Sequence, residues 1–252
     1  MRATFRYVLL TALRDRLFAG LFAVGLLAVL TSSFLGDAAL VERGELTTVF
    51  AAASVRVILV LGIVLFVGFH VQRLYESREI EAILSRPLSR EGFVLSYWLG
   101  LAAVALLLAV PVLALVAGAA GRVDGAGFLW WSASVLLEVL IVVALALFCS
   151  LTLERAIPSA LAALSFYTLA RMMSFLTAIA DRPGMDNELH PLVGWVVKAV
   201  SLFMPRLDLF GQTAWLVYGP DAAFGLAVAG QAAIYVPLLL AAAMFDLRRK
   251  RF

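Results

Sequence analysis

Cysteine and histidine are nearly absent, with one cysteine, Cys149, and two histidines, His70 and His190. A lone cysteine excludes an intramolecular disulfide, and its place inside an apolar run makes it a packed core residue. Neither histidine has a second histidine or a cysteine near it in sequence, so each reads as a hydrogen-bonded structural residue rather than a metal ligand. Met172, Met173 and Met204 show no chelating pattern for a soft metal. Charged residues make up only 15% of the chain, too few to cover a water-soluble surface. The Gly-x-x-x-x-Gly-Lys-Ser/Thr phosphate loop and the Gly-x-Ser-x-Gly nucleophile elbow are both missing, so the sequence offers neither an ATPase site nor a hydrolase. No basic groove interleaved with aromatics appears, which sets nucleic acid aside despite a net charge of +3. The N-terminus lacks a short apolar core followed by a small-residue cleavage site, and the first crossing is read as the insertion signal.

What the chain has instead is apolar length. Hydrophobic residues make up 63% of it, and the mean hydropathy is +1.00. The apolar runs separate into six clusters of roughly 20 residues, which matches a hydrocarbon core at about 1.5 Å per residue. A transmembrane strand needs alternating character, which runs such as LLAVPVLALVAGAA do not show. The expected fold is all-α and integral to the membrane, a single transmembrane domain over residues 1–252.

Residues 1–16 read as an interfacial helix, with Arg2, Arg6, Arg14 and Arg16 near the headgroups and Phe5, Val8, Leu9, Ala12 and Leu13 near one face. Crossings are expected at about Leu17–Leu35, Leu46–Leu74, Phe93–Ala120, Phe128–Leu153, Ser159–Ala180 and Asp221–Phe245. Pro111 is expected to kink the third, and Trp130 and Trp131 to place the start of the fourth at an interface. Within 181–220, Leu192–Phe203 and Leu207–Tyr218 are apolar but too short to span. They read as two re-entrant or interfacial helices, with Trp195, Trp215 and Tyr218 at an interface. Residues 246–252 form a basic tail that serves first as a membrane anchor, and second as a site for anionic lipid or a partner.

Between the second and third crossings lies the longest charged segment, YESREIEAILSRPLSREGFVLSYW, Tyr75–Trp98. Its Ile80, Ile83, Leu84 and Leu88 recur at helical spacing among Glu76, Arg78, Glu79, Glu81, Arg86, Arg90 and Glu91. A short amphipathic helix at the membrane surface is expected, ended by Pro87, which disfavours helical geometry at Arg86. Lysine and arginine fix the orientation, because basic residues near helix ends are kept in the cytoplasm. With the N-terminus inside, inner segments hold thirteen lysines and arginines and outer ones five. Both termini and this helix then face the cytoplasm.

Arg56, Glu138 and Arg171 lie inside apolar runs, where an ionised group costs about 2.5–3.5 kcal/mol unless paired or hydrated. They are expected to face the bundle interior. The favoured reading has Arg56 running out to the interface and Glu138 paired structurally with Arg171. The alternative is that one arginine pairs with Glu138, or that the three line a polar route for an anionic substrate headgroup.

This layout resembles the permease subunits of type-2 ATP-binding-cassette (ABC) exporters over essentially the whole chain. In sequence the resemblance rests on one motif. Glu76 matches the opening acid, Ile80-Glu81 the Leu-Glu step, Ile83-Leu84 the apolar pair, and Pro87-Leu88-Ser89-Arg90 the closing Pro-x-Ser-Arg signature. Where the family often has Gly-Thr, this chain has Arg78-Glu79, a more charged segment.

The resemblance implies a coupling helix, with Glu76, Glu79, Ile80, Glu81, Ile83, Leu84, Pro87, Ser89 and Arg90 seated against a separate ABC ATPase subunit. ATP and magnesium would be bound by that partner and no cofactor by this chain. It further implies pairing with a second copy or a homologous permease, contact with membrane lipids, an accessory periplasmic protein, and residence in the bacterial inner membrane. The rival readings are an ion-coupled secondary transporter, a membrane-embedded enzyme and a non-catalytic scaffold. The first should show buried carboxylates in related halves, and only Glu138 fits.

Overall fold

The computed structural model describes residues 8–9, 11, 16–37, 43–77, 89–119, 125–180, 190–219 and 222–250. Among these there is no strand. The helices are α1 (Arg16–Asp37), α2 (Arg43–Glu76), α3 (Arg90–Ala119), α4 (Gly125–Leu153), α5 (Ala156–Arg171), α6 (Met173–Ala180), α7 (His190–Phe203), α8 (Ala214–Tyr218) and α9 (Ala222–Arg249), with a 3-10 turn at Leu207–Leu209. Four helices, α2, α3, α4 and α9, are long and apolar enough to cross a membrane, and α5 with α6 makes a fifth if the bent pair is one span. The chain is thus an all-helical, multi-pass membrane protein in its architecture. The apolar section of α1 is shorter, Ala19–Phe34. The expected interfacial helix falls almost wholly outside the described residues, as does 78–88, the body of the expected amphipathic helix.

The hub is α4, which packs against α2, α3, α5, α8 and α9. It can do so because it is apolar on every side, as a helix surrounded by other helices must be. Trp131, Val135, Val139, Val142, Val143 and Leu147 are all buried along it. Trp131 belongs to the core, packed beside Phe128, whereas Trp130 is exposed. Successive residues on a helix point about 100° apart, so the two tryptophans cannot share one environment. Trp215 is likewise buried, while Trp195 and Tyr218 are exposed.

Close helix approach relies on small residues. At Gly62 of α2 an added Cβ would meet the tip of the Leu21 side chain, which packs into the space that glycine leaves open. α3 runs unbroken through Pro111 and α9 through Pro237.

Two expected elements take other forms. The fifth crossing is not one straight helix, since α5 and α6 meet at a 50° bend. Met172 at the bend has φ −86° and ψ 4°, and its N–H is shared between the carbonyls of Thr168 and Leu169. Those angles belong to a tight turn between helical segments. Leu207–Tyr218 is not one re-entrant helix but the 3-10 turn, a bend at Phe210–Gly211 and the short α8. The helical section of the presumed tail also runs further than expected, with α9 continuing to Arg249.

Candidate functional site

Two polar clusters stand out, one inside the bundle and one at the end of the bundle where α2 stops and α3 starts. The inner cluster joins α2, α4, α5 and the 3-10 turn. Arg56 of α2 and Glu138 of α4 form an ion pair, Nη2 to Oε2, at 2.7 Å with side chains 7% and 1% exposed. Arg171, the last residue of α5, approaches the other carboxylate oxygen at 3.8 Å. Tyr167, one turn before Arg171, donates its hydroxyl to Glu138 Oε1 at 2.8 Å. The carboxylate is therefore shared by two guanidinium groups and a phenol. Such bonding is what a charge in low dielectric needs if it is to stay ionised.

The two arginines carry one more positive charge than Glu138 offsets, and backbone oxygens take up the surplus. Arg56 donates to the carbonyls of Phe210 at 2.5 Å and Gly211 at 3.0 Å. Arg171 donates to those of Leu207 at 2.6 Å and Phe210 at 3.0 Å. Gly211 supplies the geometry, because its φ is +54° and an added Cβ would lie 2.9 Å from Arg56 Cζ and Nη1. Only glycine meets both conditions without strain. Its N–H is held by Ser134 Oγ at 2.9 Å, and that hydroxyl donates onward to the Trp131 carbonyl.

Arg56 does not run out to an interface, and it sits closer to Glu138 than Arg171 does. The reason is position. Arg56 lies on the α2 face that packs on α4, beside buried Val55, Leu59 and Val60, whereas Arg171 stands at the helix bend and is 33% exposed. The residues that complete the cluster, Tyr167, Ser134 and Gly211, were not legible as a group. Two of them had a local signal, since Tyr167 and Ser134 each precede a charged member by four residues and so share its helix face. The distant carbonyls had none.

The second cluster gathers helix ends around the two flanks of 78–88. Glu76 accepts from Gln72 Nε2 at 2.6 Å. Gln72 Oε1 in turn accepts the N–H of Ala156 at 2.8 Å, so an α2 side chain caps the start of α5. On the other flank Ser89 Oγ accepts the N–H of Gly92 at 3.1 Å, as an N-terminal cap of α3 does. Arg90 Nη1 donates to the carbonyls of Leu247, Arg248 and Lys250 at 2.7, 3.1 and 3.0 Å. Glu91 forms an ion pair with Arg248.

Lys250 closes the ring. Its ammonium donates to the Leu151 and Thr152 carbonyls at 2.6 and 3.2 Å and pairs with Glu154 at 2.6 Å. Tyr75 donates to Leu151 as well. Glu154 ends α4 with φ 60°, a left-handed conformation costing a side-chain-bearing residue about 1–2 kcal/mol. The end of α9 is thus fastened to the start of α3 and the end of α4. His70 lies nearby in α2, buried, with its ring stacked on Phe66 and its Nε2 3.5 Å from the Tyr97 hydroxyl.

Of the expected coupling residues, Glu76, Ser89 and Arg90 fall in this cluster, while Glu79, Ile80, Glu81, Ile83, Leu84 and Pro87 lie outside the described residues. Among the described residues no group of three histidine, cysteine, aspartate or glutamate side chains is placed to hold a metal ion. Compared with protein-family models and with curated proteins, the chain matches none.

Proposed function

We propose that this chain is the membrane-spanning permease subunit of an ATP-driven exporter of the type-2 ABC kind. It forms the export path and takes its energy from a separate ATPase subunit that binds ATP and magnesium. In this reading α1 and the bent α5–α6 pair complete six crossings, α7 and α8 are the short elements before the last one, and both termini face the cytoplasm of a bacterial inner membrane. Two permease copies, or this one and a homologue, enclose one path, with lipids and an accessory periplasmic protein as further partners.

The observation that carries the reading is what Arg90 does. It closes the Pro87-Leu88-Ser89-Arg90 signature and is bonded to three carbonyls at the end of α9. On the opposite flank Glu76 reaches the start of α5 through Gln72. A push on 78–88 would therefore reach α2 and α3 along the chain, α5 through Gln72, α9 through Arg90, and α4 through Lys250. A lever of that kind suits a helix that seats in a groove on a moving partner.

The test is purification of the tagged protein from its native membranes with assay of ATP hydrolysis. A stoichiometric partner carrying a phosphate loop supports the reading, and a stable particle without an ATPase sinks it. Glu138 is the observation behind the second reading, an ion-coupled transporter, because a buried carboxylate is the usual ion carrier. Its ion pair with Arg56 and its bond from Tyr167 weigh against that role.

A further inference from the structure

We infer that Arg171 and the groove beside it form a binding site for an amphipathic anion, a single-chain or lipid molecule with a phosphate or carboxylate head. The hydrogen bonds and the ion pair that Arg171 makes among the described residues all engage one nitrogen, Nη1: the carbonyls of Leu207 and Phe210, and Glu138 at 3.8 Å. Nη2 and Nε have none there. A guanidinium presents its donors as a planar fork that matches the two oxygens of a carboxylate or phosphate. Here one tine is fixed by the protein and the free edge is held in place for a ligand.

Charge and space agree with this. The cluster of Arg56, Arg171 and Glu138 carries one excess positive charge. A cavity of about 320 Å³ opens beside it, lined by Arg56, Arg171, Tyr167, Thr168 and Thr213 and by the apolar Val57 and Met172. Carbonyl oxygens hold part of the charge, but an anion would complete it, which is the more valuable where water is scarce.

Next to this cavity lies a second, of about 420 Å³, lined by Leu161, Leu164, Ser165, Leu169 and the same Thr168 and Met172. A charged compartment thus opens onto an almost wholly apolar one across two shared residues. Leu161, Leu169 and Met172 are exposed on the outer face of α5 and the bend, so the groove is open at the surface of the bundle. A molecule with an anionic head and an apolar chain fills both compartments, whereas a small inorganic anion fills one. The 50° bend at Met172 creates the shape, because a straight helix would carry the α5 surface past Arg171 rather than ending it there.

The inference requires only the transmembrane placement and no ATPase. Its test leaves the export reading untouched. Full-length protein in phosphatidylcholine nanodiscs is titrated calorimetrically with dodecyl phosphate, dodecylphosphocholine and inorganic phosphate, with empty nanodiscs as the blank. The first two probes share a chain and differ in net charge, and the third has the head alone. Saturable binding of dodecyl phosphate is expected, about tenfold or more tighter than either other probe.

Arg171→Gln and Met172→Trp should each weaken it by a similar factor. Met172→Trp removes no polar bond and keeps the test open if Arg171→Gln fails to fold. Dodecylphosphocholine or inorganic phosphate binding as tightly as dodecyl phosphate overturns the proposal. So does full binding by Met172→Trp, since the groove would then play no part.

Discussion

Arg56 and Arg171, from different helices, donate to one and the same acceptor, the carbonyl oxygen of Phe210, at 2.5 and 3.0 Å. Two cations converge on one peptide group only because Glu138 stands between them and the backbone is turned toward them by Gly211. The turn at Leu207–Gly211 is held in the bundle by these bonds as much as by the buried Leu207 and Phe210 side chains.

Replacing Glu138 by Gln leaves the buried Arg56 guanidinium, and the partly exposed Arg171, without this counter-charge. Unfolding in detergent should show a loss of about 3–5 kcal/mol, the usual result of orphaning a buried ion. Arg56→Met should cost a similar amount. The double variant Arg56→Met with Glu138→Leu should lose less than the sum of the singles, by about 0.5–3 kcal/mol. Strict additivity would show that the 2.7 Å pair carries no coupling.

Gly211→Ala should be among the most damaging glycine substitutions, because φ +54° and the nearby Arg56 guanidinium both oppose a Cβ. Gly230→Ala, where nothing lies within 4 Å, is the control and should be tolerated. Comparing the two midpoints of thermal unfolding separates the loss of this turn from a general sensitivity of the bundle.

Gln72→Leu removes the cap at the start of α5 and leaves the Ala156 N–H without its acceptor. A loss of about 1–3 kcal/mol is expected for an orphaned buried donor. In a preparation that retains the proposed ATPase partner, coupling should suffer as well, since Glu76 loses its link to α5. Normal stability with normal coupling would rule out the trans cap as a connection.

Arg90→Ala frees the carbonyls of Leu247, Arg248 and Lys250 and should loosen the end of α9. Limited trypsin digestion should then cut faster after Arg248 and Arg249, read by mass spectrometry. An unchanged cleavage rate would mean that the Lys250 bonds and the Glu91–Arg248 ion pair hold this end without Arg90.

Charge reversal at both Glu76 and Glu81 tests the proposed docking segment. The variant should insert normally yet lose the proposed ATPase partner in co-purification, with a smaller effect from reversing Arg122, which the sequence reading assigns to the opposite side. Unaltered association and transport would remove those two acids from the interface.

The apolar helices were legible because their length and composition do not depend on anything remote, and α4 was recognisable as a crossing with Glu138 inside it. What could not be read was which partner each buried charge would choose. Arg56 looked free to reach an interface, since sequence shows depth along a helix but not which neighbour covers that face. The bend at Met172 was hidden for a related reason. Arg171, Met172 and Met173 carry neither glycine nor proline, and the turn is held by tertiary bonds from Arg171 rather than by local preference. Leu207–Tyr218 looked like one apolar helix because its hydrophobicity is real. The carbonyls that break it are spoken for by arginines 36 to 155 residues away.

The bond from Arg56 to Gly211 joins positions 155 apart, and a ribosome delivers them in a fixed order. α2 must enter the bilayer while Glu138 and the 207–211 turn are still unmade. During that interval Arg56 has none of its mature partners, and the rest of α2 must carry it through on hydropathy alone. The apolar residues that follow Arg56, Val57–Val67, interrupted only by Gly62, are what must offset one arginine at about 2.5–3.5 kcal/mol. The polar cluster is then a closing step of assembly. A chain truncated before residue 207 would have inserted helices in which both arginines lack the backbone oxygens that hold them in the finished protein.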